Sequence, residues 1–200
     1  MAAMENVRAD FARLREVLEG RPLYRTLHAL GSAGFHAVLV YRFGRWALAQ
    51  RSPARQLLGF LYQLAYLLVR ICWGIEVPRG AAIGAGLYIA HFGGITVSRR
   101  AVLGRNCTLS QGITIGISGQ GAGRGAPVIG DDVYIGPGAR LFGRIRIGKN
   151  VKIGPNVVVS EDIPDNAVVV LDPGFRIVSY RGNRRLEAIP GDRSRSASTG

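Results

Sequence analysis

Apolar positions along this chain follow two different periods. Through residue 73 they recur at helical spacing. Glu5 to Glu19 carries helix formers with apolar residues near a 3.6 period. Pro22 ends that stretch, and a second runs from about Leu23 towards Gln50 with a break near Gly31 to Gly34. Ser52-Pro53 reads as a helix start, the serine capping and the proline fitting the first turn. A third helix follows to Trp73. From about residue 74 to 178 the period is six. Branched apolar residues stand at Val77, Ile83 and Ile89. After a slip of two they continue at Val97, Leu103, Leu109 and Ile115. After a longer gap they resume at Ile129, Ile135, Leu141, Ile147, Ile153 and Val159. Two positions before each stands a second, mostly small or aliphatic residue, among them Ala81, Leu87, Ala101, Cys107, Ile113, Val133, Ala139, Ile145, Val151 and Val157.

A period of six is neither an amphipathic helix nor an ordinary alternating strand; it is the hexapeptide signature of a parallel β-helix. Each hexapeptide makes a short strand and a corner. The apolar pair points inward, and the glycine that often follows (Gly84, Gly104, Gly130, Gly136, Gly148, Gly154) relieves crowding at the corner. Three hexapeptides close a triangular coil, coils stack through backbone hydrogen bonds, and roughly five coils are expected. The expected organisation is a helical segment over 1–73, a mainly β repeat domain over 74–178, and a basic tail over 179–200. The end of that tail, RGNRRLEAIPGDRSRSASTG, has too little apolar surface to fold.

Composition narrows the function. The 28 glycines suit many tight corners. The formal charge is +13, and Lys149 and Lys152 are the only lysines. The basic residues are scattered one or two at a time, without an aromatic-interleaved basic face, so nucleic acid is not the expected partner. A phosphorylated, polyanionic cofactor would suit such a surface. Two cysteines make no disulfide framework, and Cys107 on the inward ladder reads as a core filler. The charged, helical start is not a secretory leader, so a cytoplasmic chain is expected. The longest apolar run, Leu57 to Cys72, is broken by Gln63 and Arg70 and reads as a buried helix, with a peripheral membrane contact as the alternative.

A solenoid gains nothing from broken repeats, so the breaks draw attention. The first, HFGG at 91–94, holds His91, the only histidine in the repeats. Imidazole is the natural base near neutral pH for deprotonating a hydroxyl, and a carboxylate such as Glu76, about one coil earlier, would orient it. A lone histidine excludes a metal centre built from three histidines on neighbouring coils, so no metal is expected. His28 and His36 fall on helices and read as packing or surface residues. The second break, ISGQGAGRGAP at 117–127, is Gly-rich, carries Arg124 and reads as a flap over a site.

The segments GFHAVLVYRFGRWALAQ (34–50), GIEVPRGAAIG (74–84), LYIAHFGGITV (87–97), TLSQGITIG (108–116) and IPDNAVVV (163–170) resemble serine acetyltransferases over most of residues 20–178. The resemblance implies a left-handed coil, a homotrimer, and direct acetyl transfer from acetyl-CoA to a small hydroxyl-bearing acceptor. It places His91 as catalytic base and Glu76 where the family has a partnering aspartate. It places coenzyme A against Gly116, Ile117, Ser118, Pro137 and Pro155, with Lys149, Lys152 and Arg176 near its phosphates. Proline has no amide hydrogen, so Pro137 and Pro155 would offer shape or a carbonyl only.

The departures from the family concern the acceptor. Acidic residues that read free serine are replaced by Ala90 and, in the helical part, roughly Arg21; an Arg-His pair in the flap is replaced by Gly125 and Ala126. Polar groups holding an acceptor carry most of its selectivity. The isoleucine tail with which family members dock cysteine synthase is absent, so that partner is not expected. The resemblance is nearest a short branch associated with exopolysaccharide synthesis. It leaves L-serine and a sugar hydroxyl both open as acceptors, with Arg124 able to meet an acidic one. A catalytically inactive structural trimer is the non-enzyme alternative.

Overall fold

In the computed structural model the described residues are 2–120 and 124–171. Arg176, the end of the repeat domain and the basic tail lie outside them. Among the described residues the repeats form fourteen short strands: β1 (Ile75–Glu76), β2 (Ala82–Ile83), β3 (Tyr88–Ile89), β4 (Ile95–Val97), β5 (Val102–Leu103), β6 (Thr108–Leu109), β7 (Thr114–Gly116), β8 (Val128–Ile129), β9 (Tyr134–Ile135), β10 (Arg140–Phe142), β11 (Arg146–Ile147), β12 (Lys152–Ile153), β13 (Val158–Val159) and β14 (Val168–Val169). They stack in parallel into three sheets of a left-handed β-helix. Sheet A runs β1-β4-β7-β10-β13, sheet B β2-β5-β8-β11, and sheet C β3-β6-β9-β12-β14. A bridge from Ile147 to Ile163 extends sheet B by one rung, so each face has five.

The register confirms the six-residue ladder. Every inward residue of both series is buried, and together they make one continuous core. Cys107 is fully buried in it, and burial pushes its thiol up to about 11, which leaves it an inert filler. On sheet A, Thr96 pairs with Thr114 and Arg140 with Val158, each 18 residues apart as three hexapeptides require. Glu76 pairs with Thr96 20 residues on, which locates the slip at 91–94; Thr114 pairs with Arg140 26 residues on, which locates the flap.

The corners use two devices. The glycine after the ladder residue allows close stacking: a Cβ on Gly84 would lie 2.7 Å from the carbonyl carbon of Gly104. Three positions after the ladder residue the backbone is left-handed, and Asn106, Asp132, Asn150 and Asn166 share that conformation with Gly86, Gly112 and Gly138. These asparagines and aspartates also bond from coil to coil: Asn106 Nδ2 donates to Asp132 Oδ1 at 3.0 Å, and Asn150 Nδ2 to Asn166 Oδ1 at 2.8 Å.

Four helices precede the coils: α1 (Ala2–Val17), α2 (Pro22–Gly31), α3 (Ala33–Leu48) and α4 (Ala54–Trp73). The break expected near Gly31 falls at Ser32, whose hydroxyl accepts from the Phe35 amide and caps α3. Ser52 does not cap α4. The cap position is Pro53, whose ring has no polar atom to cap with, and the turn closes through Arg51 O to the Arg55 amide at 3.0 Å. The reading of α4 as buried is also corrected: only Tyr62 and Val69 of its twenty residues are buried. It packs one stripe on α3 and leaves the opposite stripe to solvent.

The helices seal the open edge of the first coil. An edge strand exposes unpaired amides and carbonyls. Tyr41 Oη donates to Ala81 O at 2.9 Å and accepts from the Ile83 amide at 3.0 Å. Arg42 Nη1 donates to Ile83 O at 2.8 Å and Nη2 to Gly84 O at 2.6 Å. Asp10 accepts from the Leu87 amide at 2.8 Å. Asp10 and Arg42 are themselves paired, Nε to Oδ2 at 2.8 Å, with both side chains buried. This ion pair has all its strongest partners satisfied, the condition under which a buried pair is tolerated.

Candidate functional site

Outward-facing residues of sheet A form a vertical column in register: Glu76, Thr96, Thr114, Arg140 and Val158. Arg140 Nη1 donates to Thr114 Oγ1 at 3.4 Å. The column is bounded on one side by the corner between sheets C and A, and on the other by the corner from which the flap leaves. Sequence reading singled out Glu76 here but missed Thr96, Thr114 and Arg140. Their signal was the polar residue lying between each inward pair.

His91 stands on the first of these corners, exposed to solvent. Its loop is fixed from below and above: the Gly93 amide donates to Trp73 O at 2.9 Å, and Gly93 O accepts from the Gly112 amide at 2.8 Å. Gly93 and Gly94 both hold left-handed backbone, which is how two extra residues fit without breaking the stack. Trp73 in turn packs on His36, with ring centroids 5.0 Å apart, so α4 and α3 support the loop. His36 is thus a packing residue, its Nε2 lying 2.6 Å from Leu30 O.

Glu76 is half-exposed, and its carboxylate lies 4.0 Å from Arg70 Nε at the end of α4. Among the described residues no hydrogen bond or ion pair joins Glu76 to His91. Arg70 also lies over the Tyr66 ring, 5.7 Å from its centroid. Burial, with a smaller contribution from the Glu76 charge, pushes the Tyr66 phenol well up. Arg70, Ile71, Glu76, Ile95 and Thr96 line a groove of about 310 Å³ at the foot of the column.

The flap begins at the end of β7. Ser118 and Gly125 exchange both backbone bonds, at 3.2 and 3.1 Å, and so tie its base together. Gly116 leaves room for the Phe142 ring, which a Cβ there would meet at 2.6 Å. Ile117 is half-buried and Ser118 exposed. Arg124 is exposed and Ala126 half-buried. Gly125 lies against Arg144, whose Cβ is 2.7 Å from where a side chain at 125 would begin. A larger residue at 125 would displace Arg144, which places a cation beside the flap from the neighbouring coil. Pro137 and Pro155 stack on consecutive coils above the His91 corner; Pro137 O accepts from the Asn156 amide at 2.8 Å. Ala90 is half-buried at the end of β3. Lys152 is on sheet C, exposed, with its ammonium 5.9 Å from the Tyr134 ring centroid, and Lys149 is exposed at a B–C corner. The structure therefore gathers His91, Glu76, Gly116 to Ser118, Pro137 and Pro155 around sheet A, and sets the two lysines apart from them. Among the described residues no three His, Cys, Asp or Glu side chains converge as a metal site requires.

Residues 126–161 match the family described as bacterial transferase hexapeptide (six repeats). Known proteins narrow the match further. The chain is 36% identical over 172 residues to the serine acetyltransferase of Staphylococcus epidermidis, covering 85% of this chain and 73% of that one. It is 35% identical over 156 residues to the serine acetyltransferase of Synechococcus elongatus, covering 78% of this chain but 61% of that one, so it spans about three-fifths of the latter's length. The crystal structure of Neisseria gonorrhoeae serine acetyltransferase in complex with serine superposes with a TM-score of 0.70 at 32% identity, covering 86% of this chain and 67% of that one. The chain belongs to the serine acetyltransferase family.

Proposed function

We propose that this protein transfers the acetyl group of acetyl-CoA to a hydroxyl of a small polar acceptor, with His91 as the base. The observation that carries the reading is the placement of His91. It is an exposed imidazole on a braced corner, at the edge of a polar column and below the two corner prolines of later coils, in a chain of this family. His91 takes the acceptor's proton as its oxygen attacks the thioester carbonyl. A carbon–oxygen bond forms, the carbon–sulfur bond breaks, and the imidazolium returns the proton to the departing thiolate. Glu76 acts through His91 as a positioning residue once it turns from Arg70; backbone amides at the flap base would face the developing oxyanion. Gly116, Ile117 and Ser118 would hold the pantetheine arm, Pro137 and Pro155 would shape its channel, and Arg140 would meet its phosphates. A homotrimer completes that channel between coils.

For the acceptor, a sugar hydroxyl of a polysaccharide precursor is the reading the flap favours. Ala90, Gly125 and Ala126 offer no carboxylate to the ammonium of an amino acid, whereas Arg124 and Arg144 suit an acceptor with negative charge alone, such as an acidic sugar. The test is release of CoA from acetyl-CoA with L-serine, sugars and nucleotide sugars in turn. Turnover with acidic sugars alone is expected; strong turnover with serine would replace this acceptor. His91→Ala should lower turnover by about a thousandfold with acetyl-CoA affinity kept. Normal turnover in that variant would sink the mechanism.

A further inference from the structure

The outer stripe of α4 is apolar and has no partner among the described residues. Leu57, Phe60, Leu61, Leu64, Leu67 and Ile71 recur at spacings of one, three and four along one face, each between 44% and 72% exposed. The opposite stripe is held: Tyr62 and Val69 are buried, and Tyr62 Oη accepts from the Arg79 amide at 2.9 Å. A helix with apolar stripes on both faces, one of them committed to the protein, calls for something else on the other.

Charge identifies the occupant. Residues 20–75 contain seven arginines, no lysine and no acidic residue. Arg42 is consumed in the buried pair, whereas Arg51, Arg55 and Arg70 are exposed at the ends of α4 itself. Beside Phe60, Arg55 and Arg79 line a groove of about 600 Å³ with Ser52, Gln56 and Gln63. The Arg79 guanidinium is fixed 4.6 Å over the Tyr62 ring. A second copy of this surface would bring arginines to arginines. A bilayer with anionic headgroups meets both the apolar stripe and its basic flanks.

We propose that α4 docks this protein on an anionic membrane, lying in the plane of the interface. Phe60, Leu64 and Ile71 enter the acyl boundary, and Arg55 with Arg79 receives a lipid phosphate. The helix does not cross the bilayer. Its inner stripe stays on α3 and the first coil, and Gln56, Gln63 and Arg70 interrupt it. This inference does not depend on acetyl transfer.

The test is flotation of the full chain with vesicles of phosphatidylcholine alone or mixed with phosphatidylglycerol. Binding is expected only to the mixed vesicles, weakening as salt rises. Phe60→Glu with Leu64→Glu should lower the bound fraction about tenfold. Because both residues are exposed, the circular dichroism spectrum and the unfolding temperature should hold. Arg55→Gln with Arg79→Gln should abolish the preference for phosphatidylglycerol. Equal binding to neutral vesicles, or no binding to either, overturns the proposal. So does a double glutamate variant that sediments as a smaller species, which would make this face a contact between copies.

Discussion

Helices α3 and α4 are neighbours of similar composition with opposite fates. α3 buries Phe35, Val38, Tyr41 and Arg42 and is sandwiched between α4, α1 and the first coil; α4 buries two side chains and leaves seven large apolar ones in solvent. Small residues explain the difference. Gly34 lies so close to the Ile89 carbonyl that no Cβ fits, and Gly44 lies as close to the Tyr62 ring. These glycines let the α3 backbone sink between its neighbours. α4 has a single glycine, Gly59, with only the Arg79 guanidinium near it, and it rides on the outside. Apolar content sets what a helix can bury; small residues set how near a neighbour can come.

That contrast can be broken most strongly at Arg42. Arg42→Leu leaves the Asp10 carboxylate buried without its partner and removes two bonds to the first coil. It should cost about 3–5 kcal/mol in denaturant unfolding. Gly34→Ala should cost about 1–3 kcal/mol by pushing α3 off Ile89. On α4 the same measurement should barely register: Leu64→Gln should stay within about 0.5 kcal/mol, since its side chain is half-exposed already. A large loss there would mean that the outer stripe is covered within the folded chain.

The repeat was legible because its period is written in every coil, and each inward residue from Val77 to Val159 is where the six-residue spacing puts it. The slip at 91–94 also locates the histidine corner. What stayed hidden has no period. Asp10 and Arg42 lie 32 residues apart on different helices, and nothing local marks either as a cap. The contact of Glu76 with Arg70 arises only because α4 ends at Gly74, in left-handed conformation, and turns its last arginine back over the first strand. The left-handed asparagines escaped a reading that looked only for glycine. The exposure of α4 could not be read from an apolar run, which does not say which of its faces finds company.

The cap on the first coil has one further consequence. Everything it joins lies between Asp10 and Leu87. A chain leaving the ribosome thus holds the whole of this foundation before the flap or the later coils have been made. Each later turn then finds a finished turn beneath it to serve as its template.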